Sequence, residues 1–195
     1  MLHEILFAML GKTGNIIIEL DDSFVVSPGI DFISEEEKQL INRIINLGYY
    51  YQKIQKYIQE DQKMFKNLVQ KFESKNYDPQ DQNIQESVLG NSSYVKAVCD
   101  GMKTILNSYY EDILEIESLY LKEKIITIAS LSVCLSKYFY ILPELCQFLE
   151  RIEDEGMKGG QLLDYIYQCT INGNNEIRQM YEMLQKECYN VLYSQ

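Results

Sequence analysis

Histidine occurs once in this chain, as His3. That scarcity leaves almost no material for a histidine-rich metal site or for a Ser–His or Cys–His catalytic pair. Prolines number three and glycines ten in 195 residues, too few to punctuate a many-turned all-β fold. The abundance of Ile, Leu, Tyr, Gln, Glu and Lys favours helices instead. Paired cysteine motifs are missing as well. Cys99, Cys134, Cys146, Cys169 and Cys188 are odd in number, widely spaced and contain no C-x-x-C. Each falls within a helical apolar pattern and reads as a buried free thiol in a reducing compartment. At the N-terminus no basic segment precedes the apolar residues and Glu4 interrupts them, so a signal peptide is not expected.

Long apolar runs are scarce too. The one that approaches a membrane-spanning length is IITIASLSVCLSKYFYIL, residues 125–142. Thr127, Ser130, Ser132, Ser136 and Lys137 interrupt it and Pro143 follows it, which fits a helix buried in a bundle better than one in lipid. Basic charge is short in the second half. The net charge is −11, and from Asp78 onward 18 acidic residues face 9 basic ones. Nucleic acid is therefore not an expected partner, because its binding rests on basic groups meeting phosphate. Such a surface is either simply solvated or complementary to a basic partner.

The sequence Gly11-Lys12-Thr13 matches the tail of a phosphate-binding loop. The glycine that should open that loop is Leu6, and the order of elements is reversed. Leu2, Ile5, Leu6, Met9 and Leu10 repeat at helical spacing before the motif, and Ile16-Ile17-Ile18 form a β-branched run after it. Gly11 reads as a helix stop and Gly14 as a turn residue.

What the chain does have is helical periodicity. NIIIEL and SFVV around Asp21-Asp22 predict a small hairpin. Ser34 with Glu37 forms a capping box ahead of a long helix whose apolar face carries Leu40, Ile41, Ile44, Ile45, Leu47, Tyr51, Ile54 and Ile58. Residues 73–91 are polar, contain Pro79 and Gly90, and predict a flexible loop. Asn91-Ser92-Ser93 is placed at the N-cap of a second long helix. Further helices are expected near 125–138, near 142–155 with Pro143 in its first turn, at 161–171, and from about Ile177 to the C-terminus. The last one reaches Gln195 without a stop signal, so the chain is read as a fragment cut in or just after a helix. The expected architecture is mainly α, a bundle of about six helices with a small N-terminal β-hairpin, in one domain spanning 1–195.

Asp112, Glu115 and Glu117 on one helix, and Glu150, Glu153, Asp154 and Glu155 on another, have no nucleophile, histidine or glycine-rich loop beside them. They read as charged helix faces. The 16 tyrosines, among them Tyr49-Tyr50-Tyr51, Tyr109-Tyr110, Tyr138 and Tyr140, exceed what one helix face can bury and favour protein binding over catalysis.

Three blocks carry a family resemblance. MLHEILFAMLG, residues 1–11, resembles the N-terminus of the gamma-tubulin complex component family, in its component 4 branch. YVKAVCDGMKTILNSYYEDILEIE, residues 94–117, resembles that family's first Grip motif, with Tyr94, Ala97, Gly101, Leu106, Tyr109, Leu114 and Glu117 at the motif positions. GGQLLDYIYQC, residues 159–169, and the ending YNVLYSQ follow in the same order, while residues 67–90 depart most. The resemblance implies a non-enzymatic scaffold without cofactors or metals, a subunit of the gamma-tubulin ring complex that templates microtubule nucleation. It implies lateral contacts with neighbouring complex components, gamma-tubulin held by a C-terminal domain absent from this sequence, and a place in the cytoplasm at the cytoskeleton and microtubule-organising centres such as centrosomes and spindle poles. It also makes the seven motif residues helix-packing positions. No nucleic acid and no membrane are expected as partners. The alternative reading is a helical-rod vesicle-tethering or adaptor module.

Overall fold

Helix α1 (Leu2–Met9) stops where Gly11 adopts a φ of +76°, as seen in a computed structural model that describes residues 1–30, 33–74, 82–122 and 127–194. The Gly11 N–H donates to the Ala8 carbonyl at 2.9 Å and the Lys12 N–H to the Phe7 carbonyl at 3.1 Å, the paired bonds of a glycine-terminated helix. Strands β1 (Ile17–Leu20) and β2 (Ser23–Val26) then pair antiparallel, Leu20 opposite Ser23. Asp21 carries the positive φ, +50°, that lets two residues reverse the chain.

Helix α2 (Glu35–Ser74) begins at its predicted capping box: the Glu37 N–H donates to Ser34 Oγ and the Ser34 N–H returns the bond to Glu37 Oε2, both at 3.3 Å. Helix α3 (Gln82–Leu121) begins about ten residues earlier than predicted. Helices therefore occupy 73–74 and 82–91 of the stretch expected to be a flexible loop, and 75–81 lies outside the described residues. Asn91, Ser92 and Ser93 sit inside α3, not at its cap. The sequence QNIQESVL is rich in helix formers, and a single interior glycine at position 90 costs only about 1 kcal/mol against Ala.

The apolar run at 125–142 is not one helix. Helix α4 (Ile128–Cys134) opens with a reciprocal Thr127–Ser130 capping box, and a turn over 135–137 leads into α5 (Tyr138–Glu155). Pro143 is thus the sixth residue of α5, beyond the first turn where it was expected. At the other end Gly156, φ +58°, stops α5 with the same bond pair: Gly156 N–H to Glu153 and Met157 N–H to Ile152. Helix α6 (Gly160–Cys169) and helix α7 (Asn175–Ser194) follow. Asn174 caps α7 by accepting the Glu176 N–H at 2.9 Å. The described chain is mainly helical, with seven helices and one two-stranded sheet. Among the described residues no helix is long and apolar enough to cross a membrane.

The chain forms two compact units. The first comprises Met1–Ile54 and Leu106–Cys146, the second Gln55–Ile105 and Gln147–Gln195. In the first, Ile5, Leu6 and Met9 of α1, Ile17 and Phe24 of the hairpin, Ile44 and Ile45 of α2, Ile113 of α3 and Leu142 of α5 are buried. In the second, Ile58 of α2, Val98 and Met102 of α3, Phe148 of α5, Leu162 and Ile166 of α6, and Met180, Tyr181 and Leu184 of α7 are buried.

Candidate functional site

The groups that could have supported catalysis are scattered by the fold. Gly11-Lys12-Thr13 follows a helix and precedes a strand, the inverse of a phosphate loop. Of the first acidic cluster, Asp112 turns inward to Tyr138 and Lys137, Glu115 is exposed and Glu117 half-buried. Glu150, Glu153, Asp154 and Glu155 are all exposed along α5. Among the described residues no group of three His, Cys, Asp or Glu side chains is placed to hold a metal ion. All five cysteines are free, and only Cys99, Cys146 and Cys188 are buried; Cys134 is exposed and Cys169 half-buried, against expectation. For Cys134 the reason is the brevity of α4, which buries Leu131 alone, and Cys169 is the last residue of α6. Burial pushes the Cys188 thiol up to about 12. Burial and then the neighbouring Asp61 carboxylate push Cys99 higher still, so neither is a ready nucleophile.

The first unit is organised around tyrosine. The Tyr109 hydroxyl, fully buried, donates to the Met9 carbonyl at 3.0 Å, tying α3 to the end of α1. Its ring meets Tyr51 at 5.3 Å and Tyr138 at 4.8 Å, centroid to centroid. Tyr138 donates to Asp112 Oδ2 at 2.7 Å, and Lys137 approaches the same oxygen at 3.0 Å. Burial would raise the Asp112 carboxyl, but the Tyr138 hydroxyl and the Lys137 ammonium outweigh it and hold Asp112 below its ordinary value. Between α2 and α5 the Arg43 guanidinium lies 4.5 Å over Phe139, and the Cys146 thiol donates to the Tyr50 carbonyl. Both pairs are 96 residues apart, so the two helices run parallel and in step. The hairpin is fixed by α2: the Val26 N–H donates to Asn42 Oδ1 at 2.8 Å and the Phe24 N–H to Asn46 Oδ1 at 2.9 Å. Two carboxamides thereby satisfy the edge of β2 that β1 leaves unpaired.

Five of the seven motif residues are buried: Tyr94, Ala97, Gly101, Leu106 and Tyr109. Leu114 is 40% exposed and Glu117 half-buried. In the second unit a Cβ on Gly101 would come within 2.8 Å of Leu184 Cδ2 on α7. The tightest helix approach was not predicted at all. At Gly48, on α2, a Cβ would lie 1.8 Å from the Ala8 carbonyl oxygen of α1. The sequence shows Gly48 only as one glycine inside an apolar helix pattern, and that isolation was the available signal. Several large side chains stay exposed: Leu121, Val133 and Tyr140 in the first unit, Met64, Tyr167, Ile171 and Tyr193 in the second. The described helices thus expose both apolar and acidic side chains.

The family profile described as "Gamma tubulin complex component N-terminal" matches residues 2–195. The chain belongs to the gamma-tubulin complex component family. Among curated relatives, the gamma-tubulin complex component 4 homolog of Medicago truncatula is 31% identical, covering all of this chain and 27% of that protein. Gamma-tubulin complex component 4 of Arabidopsis thaliana is 28% identical over the whole chain and 29% of its own length. Human gamma-tubulin complex component 4 is 25% identical over the whole chain and 28% of its own length. The chain therefore spans under a third of the gamma-tubulin complex components it matches.

Proposed function

We propose that this chain is the lateral-assembly part of a gamma-tubulin ring complex subunit, a scaffold without a covalent step. The observation that carries this reading is the family match running from residue 2 to residue 195. The physical character of the chain supports it: within the first unit the buried Tyr109 contacts tie α1, α2, α3 and α5 together, which presents neighbours with a defined set of helix faces. Helices α2, α3 and α5 each contribute to both compact units, which supports reading 1–195 as one domain. In this role it contacts neighbouring complex components through its helix faces, while gamma-tubulin is held by a C-terminal domain. Its place is the cytoplasmic cytoskeleton at microtubule-organising centres, where it contributes to nucleation by positioning neighbours.

Co-purification of the tagged full-length protein from its own cells tests the reading. Other gamma-tubulin complex components and gamma-tubulin are expected in the eluate, and the 195-residue chain alone is expected to retain the components while binding no purified gamma-tubulin directly. Absence of every complex component from the full-length eluate would overturn it.

A further inference from the structure

We propose that the C-terminal half of α3 is a docking seam for a basic amphipathic helix of a partner protein. Tyr110, Leu114 and Leu121 are 41%, 40% and 73% exposed. At 3.6 residues per turn the three fall within an arc of about 40° and extend about 16 Å along the helix. That is the narrow seam against which the apolar stripe of a second helix packs. The packing of the first unit accounts for the adjoining face, where Leu106, Tyr109, Ile113 and Ile116 are buried, and leaves this one uncovered. Leu114 and Glu117, the two motif residues that internal packing does not explain, both lie on it.

Charge selects the occupant. Glu117 stands in line with the stripe, between Leu114 and Leu121, and Glu111 and, farther round, Glu115 lie on one side of it, where Lys122 is the one basic residue. Among the described residues none of the three enters an ion pair. An apolar seam whose rim carries three carboxylates against one lysine is complementary to a helix carrying leucine-like anchors at i, i+4 and i+11, with Lys or Arg beside them. A second copy of this chain, itself strongly acidic at −11, fits the rim poorly. This inference names a surface and needs no other complex component, so its fate is separate from that of the scaffold reading.

The test uses the 195-residue chain and a fluorescent synthetic helix of about 18 residues, with leucines on one stripe and lysines flanking it, read by anisotropy. A peptide of equal charge with its leucines replaced by Gln is the control. Saturable binding of the amphipathic peptide is expected, weakening as salt rises. Leu114→Gln with Leu121→Gln should raise Kd about tenfold or more, and the single Leu121→Gln, at a site already largely in water, should move it in the same direction. Glu111→Gln, Glu115→Gln and Glu117→Gln together should weaken binding several-fold and flatten its salt dependence. Glu150→Gln, Glu153→Gln and Asp154→Asn, at the other acidic cluster, should leave Kd unchanged within about twofold. Equal binding of the control peptide, indifference to the leucine substitutions, or equal losses from the two acidic clusters would each overturn the proposal. So would sedimentation showing a dimer that Leu121→Gln abolishes, because the seam would then belong to a second copy.

Discussion

Glycine at position 48 is irreplaceable in a way that glycine at 101 is not. A methyl group at 48 would strike the backbone of α1, 1.8 Å from the Ala8 oxygen and 2.8 Å from Met9 Cα, and backbone cannot step aside. At 101 the nearest atom is the end of the Leu184 side chain, and the nearest backbone atom is 3.6 Å away. Gly48→Ala is therefore expected to lower unfolding free energy by about 2–3 kcal/mol, after the roughly 1 kcal/mol that Ala gains in helix propensity. Gly101→Ala should stay within about 1 kcal/mol of the parent, and urea titration of both variants separates the two cases. Position 101 was legible through a motif; position 48 was marked only as a lone glycine in an apolar helix pattern, because the partner in a close backbone crossing cannot be read from one helix alone.

Two aspartates in this chain should titrate with opposite effects on stability. Asp112 is held below its ordinary value of 3.8, so its contribution is present above that pH and is lost as pH falls through its own lower pKa. Asp61 is raised, by burial first, with the Cys99 thiol and Lys103 working against that rise. Its charged form is disfavoured in the fold, so its effect is a loss of stability as pH rises from about 3.8 through its raised pKa. Thermal melts across pH 2–7 should show Asp112→Asn flattening the acid limb. Asp61→Asn should flatten the loss on the neutral side and raise stability near pH 7. An unchanged pH profile in either variant would contradict its assignment.

At the level of elements, the local signals that the sequence carries are mostly correct where they are chemically strong. The Ser34–Glu37 box, the Asp21-Asp22 turn and the glycine stops at 11 and 156 each fix two or more backbone hydrogen bonds by themselves. Boundaries set by weaker cues moved. The polar composition of 82–91 concealed a helix, because polarity reports solvent exposure and not backbone conformation. Pro143 concealed the first turn of α5, since one missing N–H is tolerable where the surrounding helix is well packed: Tyr138, Leu142 and Leu145 are all buried. What no local signal announced was the docking of the hairpin on α2. Asn42→Ala and Asn46→Ala should each cost about 1 kcal/mol, the net value of one part-buried hydrogen bond. The more telling readout is hydrogen exchange: the Val26 and Phe24 amides respectively should lose protection, while the Val25 amide on the paired edge of β2 should keep most of its own.

For the molecule as a whole, charge is the dominant collective quantity. With 29 acidic and 18 basic residues the folded chain repels itself, and that repulsion is screened over a Debye length of about 8–10 Å near physiological salt. Raising NaCl from about 20 to 150 mM should therefore increase the melting temperature by a few degrees, and scanning calorimetry at the two concentrations checks it. The mainly helical class and the family were legible in the sequence, the first from periodicity and the second from three blocks in order. The exposed seam on α3 was not, because Tyr110, Leu114 and Leu121 are apolar residues at helical spacing, like the buried ones beside them. Only the positions of the neighbouring elements decide which side of a hydrophobic helix meets water.

The bond from Tyr109 to Met9 joins residues 100 positions apart. A ribosome adding 5–20 residues per second leaves α1 for about 5–20 s with no Tyr109 to hold it. During that interval α1 can pack on the hairpin and on α2 at Gly48, but the Met9 carbonyl still waits for its hydroxyl donor. Helix α1 is therefore secured in two steps, first against α2 and only later by the hydroxyl that α3 brings.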